Sequence, residues 1–377
     1  MPADVFFMDL TATSRENLPG KLGRLLKRAG IKNILNKNDH TAVKLHFGEQ
    51  GNTAFIRPVF IRKIIETIRT TGAQPFLTDA NTLYVGTRSN AVSHIKTAIE
   101  NGFAYSAMDH APIIIADGLF GKSDTPVPVK LKNCEQVYIG SEIVHASALV
   151  SVAHFKGHEL SGFGGTIKNI GMGSASRRGK LDQHSNVSPK IKRKTCIGCG
   201  ECAAHCPGEA IFLEDKKAYI NKEKCIGCAE CIVRCPTGSI NINWNQTIPV
   251  FMEKMVEYTY GIVKNKPGKC LYINFITDIA PKCDCLSYTE SPIVSNIGVV
   301  ASLDPVAIDQ ASVDLVNQQQ GLPHTELKTC LAPGEDKFRG LYPEVDWSHQ
   351  LAYAEQIGLG TRDYKLVKLK TLAYKKS

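Results

Sequence analysis

The sequence predicts an α/β protein: a discontinuous, mostly parallel-sheet core with helices on both faces, interrupted by a small α+β insertion rich in cysteine. Two observations predict it. Short β-rich runs alternate with stretches of helical period on both sides of the chain's middle, the rhythm of parallel strands that return through helices. Between them the run CIGCGECAAHCP from Cys196 recurs 29 residues later as CIGCAECIVRCP from Cys225, which marks a duplicated module.

The strand candidates are 42–47, 75–77, 113–116 and 148–153 before the module, and 271–276 and 297–301 after it. Helical patterns occupy 58–70 and 89–101. A third helix starts at Asp304-Pro305 and runs to about 320, because aspartate accepts the free amides of a first turn and proline suits its first position. Polar, turn-prone residues flank the module (Ser185, Asn186, Ser188 and Pro189, then Asn241, Asn243, Asn245, Gln246 and Pro249) and read as linkers. The expected division is 1–186 and 246–377 for the α/β core and 187–245 for the insertion.

With 377 residues, 43% of them hydrophobic and 21% charged, the chain is long enough for two or three packed units. No eighteen-residue apolar stretch and no basic, apolar leader occurs, so neither a membrane nor secretion is expected and the cytoplasm is. The formal charge of +9 is spread over short runs, without any helix-turn-helix, zinc-finger or RNA-binding signature, so nucleic acid is not an expected partner.

Thirteen cysteines in such a chain are available as thiolate ligands rather than disulfides. Eight fall between 196 and 235; Cys134, Cys270, Cys283, Cys285 and Cys330 lie elsewhere. The pattern C-x2-C-x2-C-x3-C-P lets one tight loop supply three ligands to a four-iron, four-sulfur (4Fe–4S) cluster, while the last cysteine serves the other cluster. Cys196, Cys199 and Cys202 therefore pair with Cys235, and Cys225, Cys228 and Cys231 with Cys206. Four-cysteine zinc sites also use C-x2-C pairs, but three cysteines per run, duplicated and followed by Pro207 and Pro236, favour two 4Fe–4S clusters. Residues 190–244 resemble the dicluster bacterial ferredoxins, which implies one-electron transfer and an electron-carrier partner such as a ferredoxin or flavodoxin. Lys190, Lys192, Arg193 and Lys194 could dock an acidic carrier; a solvated face is the plainer reading.

A carrier needs only the module, so the surrounding mass points to a second site or a partner surface. Open α/β sheets bind ligands beyond the carboxyl ends of their strands. There the sequence places His46, Asp79, Asn81, His154, His158, Cys283, Asp284, Cys285 and Asp304. The richest segment is HFKGHELSGFGGTIKNIGMG from His154. Its Gly162, Gly164 and Gly165 would let backbone amides approach a phosphate or carboxylate beside Lys168, although neither a Walker nor a dinucleotide fingerprint is present and a structural turn is the alternative. His154 and His158 have a metal-ligand spacing only on a helix, which Gly157 disfavours. Cys283 and Cys285 project to one side of an extended chain, where two thiolates can chelate a soft metal or close on a reaction centre; two ordinary thiols are the alternative.

With VKLHFGEQGN from Val43, FLTDANTLYVGTR from Phe76, the segment from His154, CDC at Cys283 and SLDPVAID from Ser302, the chain resembles the uncharacterised iron-sulfur centre proteins, within the family catalogued as domain of unknown function 362. This implies iron-sulfur binding with no assigned reaction. A more distant likeness is to the nickel-pincer lactate racemases, in which a lysine after a glycine run holds a nucleotide-derived cofactor. That likeness would assign Lys168 this role, match His154 and His184 to histidines of the site, and match Arg57 to a substrate arginine.

The leading expectation is an iron-sulfur oxidoreductase that passes electrons through both clusters to a core site acting on a small-molecule substrate. In that site Lys168, His154 and His184 would be catalytic, Gly162, Gly164, Gly165, Cys283 and Cys285 would bind a cofactor, and an additional metal, flavin or nucleotide is allowed for. The rivals are a non-catalytic carrier or redox sensor, and a cofactor-handling protein related to the racemase fold.

Overall fold

The structure, a computed structural model, describes residues 2–185, 188–242 and 247–372. The expected borders of the insertion, 186/187 and 245/246, lie outside the described residues. Seven strands build the main sheet: β1 (Ala3–Asp9), β2 (His40–Lys44), β3 (Gln74–Thr78), β4 (Ala148–His154), β5 (Cys270–Ile276), β6 (Gly298–Ser302) and β7 (Tyr364–Lys368). Their spatial order is β7-β1-β6-β5-β4-β2-β3. Every neighbouring pair is parallel except the two that β6 makes with β1 and β5, so one strand opposes six.

All residues of β4 and β5 are buried, as central strands covered on both faces must be. Alternation sorts their side chains: Leu149 joins the core on one face, Val150 and Val152 the core on the other. The second face is covered by α1 (Leu18–Arg28), α2 (Pro58–Arg69) and α3 (Ala91–Glu100), which contribute Leu22, Leu25, Ile61, Ile65 and Ala98. On the first face lie α4 (Thr166–Gly171), α5 (Arg177–His184), α6 (Ile248–Asn265) and α7 (Pro305–Asn317), and Ile167, Met255 and Ile308 pack there. Asp304 caps α7, accepting from the amides of Val306 and Ala307 at 2.9 and 2.8 Å, a contact worth about 1 kcal/mol.

The elements differ from expectation in several places: the strand expected over 42–47 ends at Lys44, and the pairs Asp124–Pro128 with Gln136–Gly140 and Lys156–His158 with Gly162–Gly164 were not expected. Residues 113–116 form no strand; Ile113 makes a single bridge to Leu77, and the chain turns away at Gly118, whose φ is +71°. The strands β1 and β7 close one edge without having been foreseen. The third helix ends at Asn317, short of 320.

The cysteine-rich segment has its own small α+β arrangement. Lys190–Ile191 pairs antiparallel with Ile240–Asn241, Ile211–Glu214 forms a hairpin with Lys217–Ile220, and two short helices span Glu201–Ala204 and Glu230–Arg234. Ile211, Ala218, Ile232 and Ile240 form its core, into which Leu83 and Leu181 reach from the α/β unit.

From β2 the chain moves outward through α2 to β3, then returns to β4 on the other side of β2. The crevice beyond the carboxyl ends of β2 and β4 is the switch point at which such sheets hold ligands.

Candidate functional site

The eight clustered cysteines divide into two cavities. Cys196, Cys199, Cys202 and Cys235 line one; Cys206, Cys225, Cys228 and Cys231 line the other. Each set draws three thiols from one repeat and the fourth from the other. The loops close because Gly198, Gly200, Gly227 and Ala229 take left-handed backbone, and at Gly198 a Cβ would stand 2.2 Å from the Lys216 carbonyl oxygen, so only glycine fits. The amides of Ala218, Ala210 and Ser239 donate to the sulfurs of Cys196, Cys206 and Cys235 at 3.5, 3.3 and 3.2 Å. Among the described residues no group of three or more His, Cys, Asp or Glu side chains is placed to hold one metal ion; the four cysteines of each set line one cavity.

The two sets face different ways. A Cβ built on Gly227 lies 4.0 Å from Leu181 of α5, so the Cys225 set abuts the α/β unit. The Cys196 set lies beside Lys190, Lys192, Arg193 and Lys194, all exposed.

A third, larger cavity of about 710 Å³ opens beyond the carboxyl ends of β2 and β4. Lys44 at the end of β2, His46, His154 at the end of β4, Lys168 from α4, His184 from α5 and the pair Cys283 and Cys285 all line it. Lys168 Nζ donates to Cys283 Sγ at 3.5 Å, and the two sulfurs of the pair stand 2.6 Å apart. Leu83 lines this cavity and also packs in the core of the cysteine-rich segment. It thus spans the wall between the two.

Charge is paired around the rim. Lys44 meets Asp79 at 3.0 Å, and Arg88 bridges Glu49 at 3.1 Å and Asp79 at 3.5 Å. Burial would raise the Asp79 carboxyl, but Lys44 and His94 hold it well below the usual range. Burial lowers Lys180 to about 8 despite Asp117 and Asp79. His184 stacks on Phe251 with ring centroids 4.8 Å apart; burial and then the Lys168 charge push it down to about 3, so it is a neutral imidazole at neutral pH. His158 is likewise lowered by burial and Lys168.

His154 is held differently. Its Nδ1 lies 2.9 Å from Asp284 Oδ2 and its Nε2 lies 2.8 Å from the Thr277 carbonyl. Both partners only accept, and both ring nitrogens are taken up by them, so neither is turned towards a substrate or a metal. Lys156 reaches Asp284 at 3.0 Å. Burial would raise the Asp284 carboxyl, yet His154 and Lys156 hold it far below the usual carboxylate range.

Residues 41–314 match the family model described as Domain of unknown function (DUF362). The chain belongs to the DUF362 family. No curated protein matches it. Among solved structures, the lactate racemase apoprotein from Thermoanaerobacterium thermosaccharolyticum aligns at 12% identity over 73% of this chain and 51% of that one, with a TM-score of 0.36. A protein from Thermotoga maritima aligns at 7% identity over 90% and 58%, with a TM-score of 0.38. The chain spans about half the length of the first and under two thirds of the second. No helix among the described residues is long and apolar enough to cross a membrane.

In this DUF362 chain the residues singled out at strand ends, in the glycine segment and by the likeness to the racemases separate into two groups. His46, Asp79, His154, His158, Lys168, His184, Cys283 and Cys285 come together at the cavity. Asp304 does not, because β6 runs against its neighbours and delivers its carboxyl end to the opposite edge. Asn81 turns into the protein and donates to Asp117 and the Gly118 carbonyl. Arg57 only precedes α2 and is absent from the cavity wall.

The glycine loop is corrected too. Gly164 and Gly165 line the cavity, but Gly162 does not; its φ is +74° and a Cβ there would stand 2.5 Å from Trp347 Cβ, so it serves packing. A Cβ on Gly165 would stand 2.3 Å from Asp309 Oδ1. That carboxylate accepts from the amides of Thr166 and Ile167 at 2.7 and 2.9 Å, so the amides expected to cradle a phosphate are taken by the protein itself. His154, expected as an acid-base group, positions Asp284 and the loop of Thr277 instead.

Lys44, Arg88, Lys156 and Lys180 were not foreseen as cavity residues. Lys44 had a signal, a lysine inside an otherwise buried strand; Arg88 and Lys180 had none.

Proposed function

We propose that this chain is an iron-sulfur redox protein, an oxidoreductase that passes electrons from an external carrier through two 4Fe–4S clusters to a site on its α/β core. The observation that carries the reading is the crossed partition of eight cysteines into two four-thiol cavities, which fits a cubane's need for four thiolates on separate irons. Cys196, Cys199, Cys202 and Cys235 would hold one cluster, and Cys206, Cys225, Cys228 and Cys231 the other. When bound, such clusters supply one-electron transfer at a potential set by charge, exposure and hydrogen bonds to sulfur.

The chain's own residues supply the rest. The amides of Ala210, Ala218 and Ser239 offset negative charge on the sulfurs they face. The exposed Lys190, Lys192, Arg193 and Lys194 beside the Cys196 set offer an acidic carrier, a ferredoxin or flavodoxin, a docking face. Leu83 and Leu181 exclude water between the Cys225 set and the core cavity. Free thiols in this number fit a reducing, cytoplasmic compartment.

Lys44, Arg88, Lys156, Lys168 and Lys180 line the core cavity together with Glu49, Asp79 and Glu159, and Asp284 pairs with Lys156 from behind. Lys168 and Lys180 are the lysines without a carboxylate in contact among the ion pairs of the described residues, and these two ammonium groups favour an anionic small molecule. His184, a neutral imidazole at neutral pH, lines the site as an uncharged polar ring stacked on Phe251. The same charge and volume support a second reading, that the cavity holds a phosphate-bearing cofactor such as a flavin or nucleotide, or a further metal.

An anaerobic inventory of the purified protein tests both. About eight irons and eight acid-labile sulfides per chain are expected. Protein reconstituted with excess iron and sulfide that retains only zinc refutes the cluster reading. Lys168→Ala should abolish anion binding while iron and sulfide content stay at the wild-type level; unchanged binding removes the assignment of the core site.

A further inference from the structure

We infer that Cys283 and Cys285 are a redox couple, interconverting between dithiol and disulfide and so joining the one-electron chemistry of two iron-sulfur centres to two-electron chemistry in the core cavity. The inference rests on the function proposed above and adds the group that stores the electron pair.

Geometry carries it. The two sulfurs stand 2.6 Å apart, whereas two thiolates sharing one tetrahedral ion at 2.3 Å each would be about 3.8 Å apart. The pair faces itself. The Cys285 amide donates to Cys283 Sγ at 3.4 Å, which folds the Cys283-Asp284-Cys285 turn so that both sulfurs point into the cavity. Asp284 between them is fixed by His154 and Lys156, so the turn is held from behind. A bridge across one intervening residue closes a small, strained ring, and strained bridges are the easily reduced, catalytic kind.

The surroundings favour one thiolate and one thiol. Lys168 brings its ammonium to Cys283. His46 accepts at Nδ1 from the Gly48 amide at 3.0 Å, so its proton sits on Nε2, which is buried without a hydrogen-bond partner of full geometry among the described residues; Cys285 is the thiol it acts on. Contact with Cys283 lowers Cys285 most, burial opposes this, and His46 and Lys168 add to the lowering, so Cys285 lies well below the usual thiol range. Contact with Cys285 and burial raise Cys283. Exchange chemistry needs this division, because the thiolate is the nucleophile.

The step balances. On oxidation the Cys283 S–H bond breaks, its proton passes to water in the cavity, the Cys285 thiolate bonds to Cys283 sulfur, and two electrons leave, one to each iron-sulfur centre. On reduction two electrons and one proton return, the S–S bond breaks, and the Cys283 thiol and Cys285 thiolate are restored. Two one-electron carriers thus match one two-electron couple. Leu83 is shared by the cavity and the core of the cysteine-rich segment, and α5, which gives Lys180 and His184 to the cavity, sets its Leu181 against Gly227 of the Cys225 set.

The test uses the intact, cluster-loaded chain under anaerobic conditions. It is equilibrated in glutathione buffers of graded potential and quenched with an alkylating reagent, and the peptide holding both cysteines is read by mass spectrometry. The expected result is one two-electron transition, from a doubly alkylated peptide to an unalkylated, internally bridged one. Double alkylation at every potential, or protection that a metal chelator abolishes, overturns the couple. A second arm follows reduction of the bridge by a viologen radical: Cys206→Ala, which lacks a ligand of the Cys225 set, should lose the rapid phase, and an unchanged rate overturns the link to the clusters. Lys168→Ala should shift the pH midpoint of Cys285 alkylation upward, a shift that a merely structural lysine would not give. Failure of the function proposed above would appear separately, as protein without iron whose thiol pair still titrates.

Discussion

Arg177 of α5 and Glu230 of the cysteine-rich segment meet at 3.1 Å with both side chains wholly buried. They form the polar centre of the seam between the two units, and Arg234 adds a second contact to Glu230 at 2.8 Å. Removing one partner of a buried pair strands the other charge, at a cost of about 3–5 kcal/mol. Glu230→Ala should therefore lower the urea midpoint strongly and speed amide exchange at the seam. The double change Arg177→Met with Glu230→Leu should recover much of the loss, because an apolar pair leaves no stranded charge. Equal midpoints for wild type and Glu230→Ala would show that water reaches the pair.

Cys206 follows the first repeat in sequence but lines the cavity of the second. Cys206→Ala should damage the same cluster as Cys228→Ala, leave the Cys196 set intact, and lower iron content by about half. Electron paramagnetic resonance of the reduced variants checks it. Spectra in which Cys206→Ala instead resembles Cys199→Ala would contradict the crossed arrangement.

Gly164 and Gly165 are neighbours with opposite tolerance. A Cβ at 165 collides with the Asp309 carboxylate, whereas one at 164 meets only Lys168 Cδ at 3.1 Å, on a flexible side chain. Gly165→Ala should cost about 1–3 kcal/mol by overpacking and displace α4 with Lys168, lowering anion affinity as well. Gly164→Ala should fold nearly as the wild type does. Thermal unfolding of the two variants side by side decides it.

Acid should destabilise the chain through His94. Burial pushes this wholly buried histidine down to about 4, partly offset by Asp79, which lies 3.6 Å away. An unfolded histidine titrates near 6.5, so between about 6.5 and 4 the unfolded chain binds more protons and stability falls as pH falls, by roughly 2 kcal/mol at pH 5 from this residue. His94→Gln should show a shallower decline between pH 7 and pH 5 in urea titrations, whatever its stability at pH 7. An identical decline would assign the acid sensitivity to other groups.

Several features were legible because their cause is local. The spacing of the cysteines dictates which thiols share a loop, and the repeat shows that the loop occurs twice. The buried runs of β4 and β5 and the Asp304-Pro305 start of α7 follow from the chemistry of neighbouring residues. The rule that ligands gather beyond carboxyl strand ends named His154, Cys283 and Cys285, the glycine-rich segment named Lys168, and the likeness to the racemases named His184.

Neighbouring residues were enough to specify an α/β chain with two cysteine repeats and the edge of the sheet where a site belongs. Folding was needed to show that β6 runs backwards and carries Asp304 away from that edge, that Trp347 and Asp309 are the reasons for Gly162 and Gly165, and that His154 spends both ring nitrogens on Asp284 and Thr277. Each of these depends on a partner far along the chain. Strand direction and the occupant of a glycine's open side are fixed by packing between distant segments, which no run of neighbouring residues encodes.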